Sequence, residues 1–312
     1  MQRHFRHGGG VSPRNTRLRG QSIIEYVLII ALIGLVIVFA GPGVAGAIRN
    51  QFSQVTNTVD SGTEGDNFIS AEEKAYREAM KTVVNKDAKD WTLDEQKAAA
   101  TDIAKNGTSS VVYAKAKAAM EAGTKFSAKL TNGKTLEYRI VGINHDDLAD
   151  GSGKAGLTFE ATNTALSAQR MNATQTNVGG WEKSELRGRL NSGDLWALLP
   201  AEIQSKVKTV TKMTDNKGGG TAGTPSATTD KVFLLSTTEV YGNLQSDGAQ
   251  YEYYKSKGVS TSSYSGASSS YYHWTRSVYP GYSTIFRGVC SHGDYGYYNA
   301  TNTIYVFPAF SF

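Results

Sequence analysis

Cysteine occurs once in the 312 residues, at Cys290, which excludes an intramolecular disulfide. Small exported domains often need such staples, whereas one of about 190 residues can rely on its hydrophobic core. Proline is scarce (6), glycine abundant (33), and no internal repeat is found. Acidic residues are missing from the first twenty positions, which hold Arg3, Arg6, Arg14, Arg17 and Arg19. With those five set aside, the remaining 28 basic residues equal the 28 acidic ones. The pI near 9.0 therefore reflects one short segment and gives no support for a nucleic-acid partner.

A long apolar run succeeds the basic segment. Val27 to Ala40 is apolar without interruption, and the uncharged stretch continues to Ile48. As a helix, residues 27–48 would span roughly 33 Å, enough for a bilayer core. Gly41-Pro42-Gly43 would kink that helix, because Pro42 removes a backbone bond. An amphipathic stretch comes after Arg49, and the polar residues 60–67 are expected to end the helix near Asp60.

A secretory signal peptide with the small-residue site Ala45-Gly46-Ala47 accounts for part of this pattern, and a plain membrane anchor for another part. Neither has a use for Glu25. A carboxylate costs on the order of 2.5–3.5 kcal/mol at mid-membrane, less near an end. The order Gly20, four residues, Glu25-Tyr26 and then an apolar run resembles the processing site of type IV prepilins. The Glu-Tyr pair is similar to the Flp subfamily of tight-adherence (Tad) pili.

That resemblance implies that a prepilin peptidase cuts after Gly20, leaving Gln21 as the mature N-terminus. It further implies that the helices of many subunits bundle into a filament, with Glu25 and Tyr26 as assembly residues. The freed α-amino group, with an unperturbed pKa of about 7.7–8, is cationic at neutral pH. Glu25 of one subunit can neutralise the Gln21 amine of another, and breaking one side of a buried pair costs on the order of 3–5 kcal/mol. Flp pilins are little more than the helix, whereas a far longer chain extends beyond it here, so a minor or tip subunit is the expected role.

From Phe68 to about Gly123 the sequence reads as helical. "SAEE" (70–73) and "TLDE" (92–95) match the S/T-x-x-E capping box, and Asn106-Gly107 is a stop signal. Alanine and lysine dominate, which reads as a spacer between filament and head. From Lys125 short apolar runs alternate with turns. Asn132-Gly133 marks a hairpin, helices are expected at Ser184–Asn191 and Pro200–Val207, "DKVFLLSTTEVYG" reads as a strand into a turn, and "NTIYVFPAFSF" as a closing strand. Residues 216–230 and 256–272, poor in apolar side chains, read as mobile loops.

The ordered set "INHDDLADGSGKAGLTF", "GGWEKSELRGRLN", "DKVFLLSTTEV", "YEYYKS", "HWTRSV" and "VFPAF" resembles an uncharacterised domain family of surface proteins from Gram-positive and gut-associated bacteria. That likeness runs from about Phe126 to the C-terminus. The layout is also similar to the C-type-lectin-like fold of formylglycine-generating enzymes. Those enzymes rely on a cysteine pair, and this chain has one cysteine. Cys290 with His292, and His273 nearby, could form a nucleophile and base. A partly buried structural cysteine is the preferred reading. "HDDLADG" offers His145, Asp146, Asp147 and Asp150, but Leu148 and Leu157 stand where an EF-hand needs ligands, so an Asp-rich turn is preferred to a calcium site.

Tyrosine is concentrated late, with 13 of its 17 copies after residue 230. Rigid aromatics with polar tips among Ser, Gly and Asn compose adaptable binding surfaces. Tyr264, Tyr295, Tyr297, Tyr298 and Asn299 are the candidate ligand surface, for an unspecified carbohydrate or protein; "YYHWTRSV" is expected to supply core, with Arg276 bonded within the domain. The expected organisation is α+β: leader 1–20, long transmembrane or pilin helix 21–60, helical spacer 61–123, and a lectin-like mixed head 124–312. The expected role is a pilus subunit, held in the cytoplasmic membrane as precursor and at the cell surface when mature. No catalytic, metal or cofactor residue is assigned. A secretion-system pseudopilin, or a membrane-anchored domain with a formylglycine-generating-enzyme-like fold, is the alternative.

Overall fold

The computed structural model describes residues 69–312. Its first layer is helical: α1 (Ala71–Val83), α2 (Leu93–Asn106) and α3 (Tyr113–Ala122). Ser70 caps α1 by accepting from the Glu73 amide at 3.1 Å, but the box is half made, because Glu73 turns to Arg77 instead. Thr92 and Glu95 form a complete box on α2, with reciprocal bonds of 3.3 and 2.8 Å. Gly107 and Gly123 end α2 and α3 at positive φ, which glycine adopts at least cost.

These helices are not a spacer. Ala99, Ala100, Ile103, Val112 and Met120 are buried in the same core as the strands beyond them. Gly156 sits so close under α2 that a Cβ there would lie 1.8 Å from the Ala100 carbonyl oxygen. Tyr138 donates to Gln96 Oε1 at 3.1 Å, and Asn144 Nδ2 donates to the Ile103 carbonyl at 3.1 Å. The alanine content that suggested a solvated rod instead lets backbone approach backbone.

The expected fold is corrected in a second respect. Among the described residues no helix is long and apolar enough to cross a membrane. The expected helix 21–60, with Gly20, Gln21, Glu25 and Tyr26, lies outside the described residues.

The strands are β1 (Lys125–Lys129), β2 (Thr135–Ile143), β3 (Leu157–Ala161) and β4 (Ala168–Gln169). Then come α4 (Glu185–Asn191), α5 (Asp194–Leu198) and α6 (Ala201–Gln204), followed by β5 (Val210–Thr214), β6 (Ser226–Asp230) and β7 (Val232–Phe233). α7 (Thr237–Tyr241) and α8 (Glu252–Ser256) precede β8 (His273–Val278), β9 (Ile285–Val289), β10 (Tyr295–Asn299), β11 (Ile304–Tyr305) and β12 (Ala309–Ser311). One sheet has the order β1-β2-β3-β12-β7, a second β10-β9-β8-β11-β4, and β5 pairs with β6 alone.

The hairpin at Asn132-Gly133 forms, with Gly133 at φ 83°. The expected closing strand is instead divided. β11 belongs to the second sheet, Val306–Pro308 cross over, and β12 enters the first sheet between β3 and β7. Phe310 and Phe312 thereby pack on Phe159 at 5.6 and 5.0 Å between ring centroids. Truncating such a ring to alanine costs roughly 3–5 kcal/mol. The segment expected as a loop at 216–230 gives its last five residues to β6.

Where the two sheets meet, four buried charges alternate in sign. Asp146, after β2, pairs with Lys212 of β5 at 2.6 Å, and Lys212 pairs with Glu239 of α7 at 2.6 Å. Glu239 in turn pairs with Arg276 of β8. Arg276 also donates to the carbonyls of Leu234, Met213 and Asp247 at 2.9, 3.0 and 2.9 Å, which agrees with the role expected for it. Burial alone would raise the Asp146 carboxyl, but Lys212 and His145 hold it at about 2. Glu239→Ala, which leaves Arg276 without a carboxylate and Lys212 with Asp146 alone, should lower stability by roughly 3–5 kcal/mol in urea unfolding. Glu78→Ala, on the exposed face of α1, should leave the urea midpoint unchanged.

Candidate ligand-binding site

β9 and β10 form an antiparallel pair at the edge of the second sheet. Its register places Tyr295 opposite Val289, Tyr297 opposite Arg287 and Asn299 opposite Ile285 on one face, with Tyr298 and Phe286 on the other. The expected ligand surface is therefore split by strand alternation.

On the first face Arg287 lies beneath three tyrosines. Its guanidinium carbon is 4.8 Å from the Tyr279 ring centroid, 5.3 Å from that of Tyr297 and 5.8 Å from that of Tyr295. Tyr279 stacks on Tyr282 at 5.4 Å and meets Tyr297 at 4.5 Å. The 279–282 turn that presents them closes with Gly281 at φ 94°. Tyr282 is 55% and Tyr297 47% exposed, while Arg287 is 7% exposed. Nε and Nη1 of Arg287 are buried without an acceptor. Asn299 shares the face but is already engaged, accepting from Thr284 Oγ1 at 3.0 Å and Gln175 Nε2 at 3.1 Å.

Tyr298 does different work. Its ring lies flat over Gly288 and Gly296: a Cβ at either would come within 2.8 Å of it. It packs against Trp274 at 5.9 Å, and its hydroxyl is 3.3 Å from Cys290 Sγ. Tyr264 stands apart, near His292 at 6.3 Å. Of the five expected residues, Tyr295 and Tyr297 form the platform with Tyr279, Tyr282 and Arg287; Tyr298 and Tyr264 do not join it.

Cys290 Sγ lies 3.3 Å from the Tyr298 hydroxyl and makes no hydrogen bond to a histidine; burial, with the Asp294 carboxylate nearby, raises its thiol pKa. His292 pairs with Asp294 at 3.1 Å, and His273 is buried, stacked on Phe307 at 4.4 Å. The acids of the "HDDLADG" segment are likewise consumed internally. Asp146 joins Lys212, Asp147 pairs with Lys154 at 2.8 Å, and Asp150 accepts from Ser152. No group of three or more His, Cys, Asp or Glu side chains that could hold a metal lies among the described residues.

Residues 153–312, more than half of the chain, match DUF6273, a domain of unknown function. The chain belongs to the DUF6273 family. No curated protein and no solved structure matches it. The DUF6273 region begins after β2, so β1, β2 and the three helices complete its core from outside the match. Within it, the Trp-x-x-Ser-x-x-Arg element is structural. Trp181 donates to Asp230 Oδ2 at 3.2 Å, Ser184 caps α4, and Arg187 meets Asp230 Oδ1 at 2.6 Å. The platform of the DUF6273 domain, by contrast, spends its aromatics on the surface.

His273 supplies a pH signature for this sheet. Burial lowers its pKa to about 4. Unfolded, the imidazole takes up its proton near pH 6.5; folded, only near pH 4. Between these values the unfolded chain binds more protons, so the contribution is complete above pH 6.5 and is lost as pH falls through 4. Relative to His273→Phe, the wild type should lose roughly 3 kcal/mol more stability between pH 6.5 and 4, read by urea titrations across that range.

Proposed function

We propose that the chain is a minor or tip subunit of a Tad/Flp-type pilus that displays its DUF6273-containing head at the cell surface for adhesion. The observation that carries this reading is Glu25-Tyr26, separated from Gly20 by four residues and directly before the apolar run 27–40. A prepilin peptidase would cut after Gly20. The new Gln21 amine and the Glu25 carboxylate of a neighbouring subunit then remove each other's cost in apolar surroundings.

The head suits cargo carried by such a subunit. It has a core of its own, and its first helix opens at a capped Ser70, just beyond the polar stretch 60–67. Its tyrosine platform lies on a sheet edge, with Tyr282 and Tyr297 exposed on its outer side. Adhesion through rigid, half-exposed tyrosines fits this surface better than catalysis at Cys290, whose thiol makes no hydrogen bond to a histidine.

Mass spectrometry of the native N-terminus tests the reading. A chain beginning at Gln21 is expected; one beginning at Ile48 would replace the pilus subunit with an exported module. Glu25→Ala should leave the head folded yet remove the chain from sheared surface filaments by at least tenfold on immunoblots. Normal recovery of that variant in the sheared fraction would refute the pairing role.

A further inference from the structure

We propose that the Arg287–tyrosine platform is a binding subsite for the carboxylate of an acidic sugar, a uronate unit within a surface polysaccharide. This rests on the adhesive reading of the head and names its ligand class.

Arg276 and Arg287 are the buried arginines of the described residues, and they are treated in opposite ways. Arg276 has a carboxylate, Glu239, and four neutral acceptors: Thr214 Oγ1 and the carbonyls of Leu234, Met213 and Asp247. Arg139, Arg187 and Arg189, all less buried, also have a carboxylate each. Arg287 makes no ion pair among the described residues, and its Nε and Nη1 are buried with no acceptor. Three tyrosine rings offset part of its charge through their π faces. Ring faces do not accept the in-plane N–H groups of a guanidinium, whose fork matches a carboxylate. A group of that chemistry, arriving from outside the chain, completes the site.

The surroundings select the kind of molecule that brings it. Tyr279, Tyr282 and Tyr297 offer flat apolar faces edged by hydroxyls, on an open surface. A pyranose ring has the complementary form, with C–H groups on its face and hydroxyls around its rim. Tyr297 stands directly across the ladder from Arg287 and is half exposed, so its rotation would open one side of the guanidinium. The sugar would stack on Tyr279 and Tyr282 while its carboxylate reaches Arg287. An acidic peptide would supply the charge without a ring for that platform.

Binding of the purified full chain to polygalacturonate, alginate and hyaluronate, measured by calorimetry, tests this. The controls are fully methyl-esterified polygalacturonate, which keeps the rings and masks the carboxylates, and poly-glutamate, which keeps the carboxylates and lacks the rings. Binding to at least one uronate polymer is expected, at least tenfold tighter than to either control. Arg287→Gln and Tyr279→Ala should each weaken it at least tenfold, with melting temperatures confirming that both variants fold. Should Arg287→Gln misfold, Tyr282→Ala, on the exposed rim, decides the matter by the same criterion. Binding to none of the three polymers, equal binding to either control, or full binding by the folded variants would overturn the assignment. A chain that starts at Gln21 and enters filaments yet ignores uronates loses only this ligand. One that binds uronates but starts at Ile48 loses only the pilus.

Discussion

The alternating charges Asp146, Lys212, Glu239 and Arg276 hold the molecule's parts in one arrangement. Each comes from a different element: the turn after β2, β5, α7 and β8. Tyr251 closes the Asp146 end, its hydroxyl 2.8 and 2.9 Å from the two carboxylate oxygens. Thr158 of β3 adds a further bond to Asp146 at 2.5 Å. Such a chain of pairs is not a large source of net stability, because desolvation offsets most of the attraction. Its effect is selective. Any packing that misplaces one element leaves a charge alone in the interior, and that penalty exceeds what hydrophobic contacts alone would impose on a slipped strand.

The network also explains what sequence reading could and could not see. Asp146 stands in an acid-rich segment, and locally the segment has the composition of a solvated turn. Its burial depends on Lys212, sixty-six positions further on, and no local pattern announces that pairing. Signals that act over three or four residues fared better. Asn132-Gly133 gives its hairpin, Thr92 with Glu95 caps α2, and Ser184 opens α4. Ser236 and Glu239 form a complete capping box of the same kind. It escapes notice because it comes directly after Val232-Phe233-Leu234-Leu235, which reads as a strand. The alanines of α2 mislead for a related reason: composition cannot separate a helix that stands in water from one pressed against a sheet.

In the tyrosine region, residue type was legible and grouping was not. Tyr295, Tyr297 and Tyr298 look equivalent as a cluster, yet strand alternation sends Tyr298 across Gly288 and Gly296 and the other two to the platform. The residue that sequence reading missed, Arg287, left a trace. In "IFRGV" it shares parity with Ile285 and Val289, so a cation occupies the same side of the strand as two apolar residues. A charge in an apolar alternation has to be paired, covered or exposed, and Arg287 is covered by rings.

That observation and the one at the front of the chain share a logic. Glu25 is an acid set against an apolar run in the sequence, and Arg287 is a cation set among aromatic rings in the fold. Arg287 makes no ion pair among the described residues, and no acidic residue flanks it in β9. Inside the domain, the structure shows what this chain does with charges meant to stay there: Arg276, Lys212, Asp146 and Glu239 are matched within hydrogen-bond distance. Against that internal standard, Arg287, whose Nε and Nη1 are buried without an acceptor, is better explained by a partner outside the chain than by tolerance of a defect. In the proposed pilus reading, Glu25 would meet a compact cation able to enter apolar surroundings, the N-terminal amine of a processed neighbour. For Arg287 the aromatic setting calls for an anion attached to a flat ring. Under the two proposals, the difference in setting, not in charge, would separate a contact used for assembly from one used for recognition.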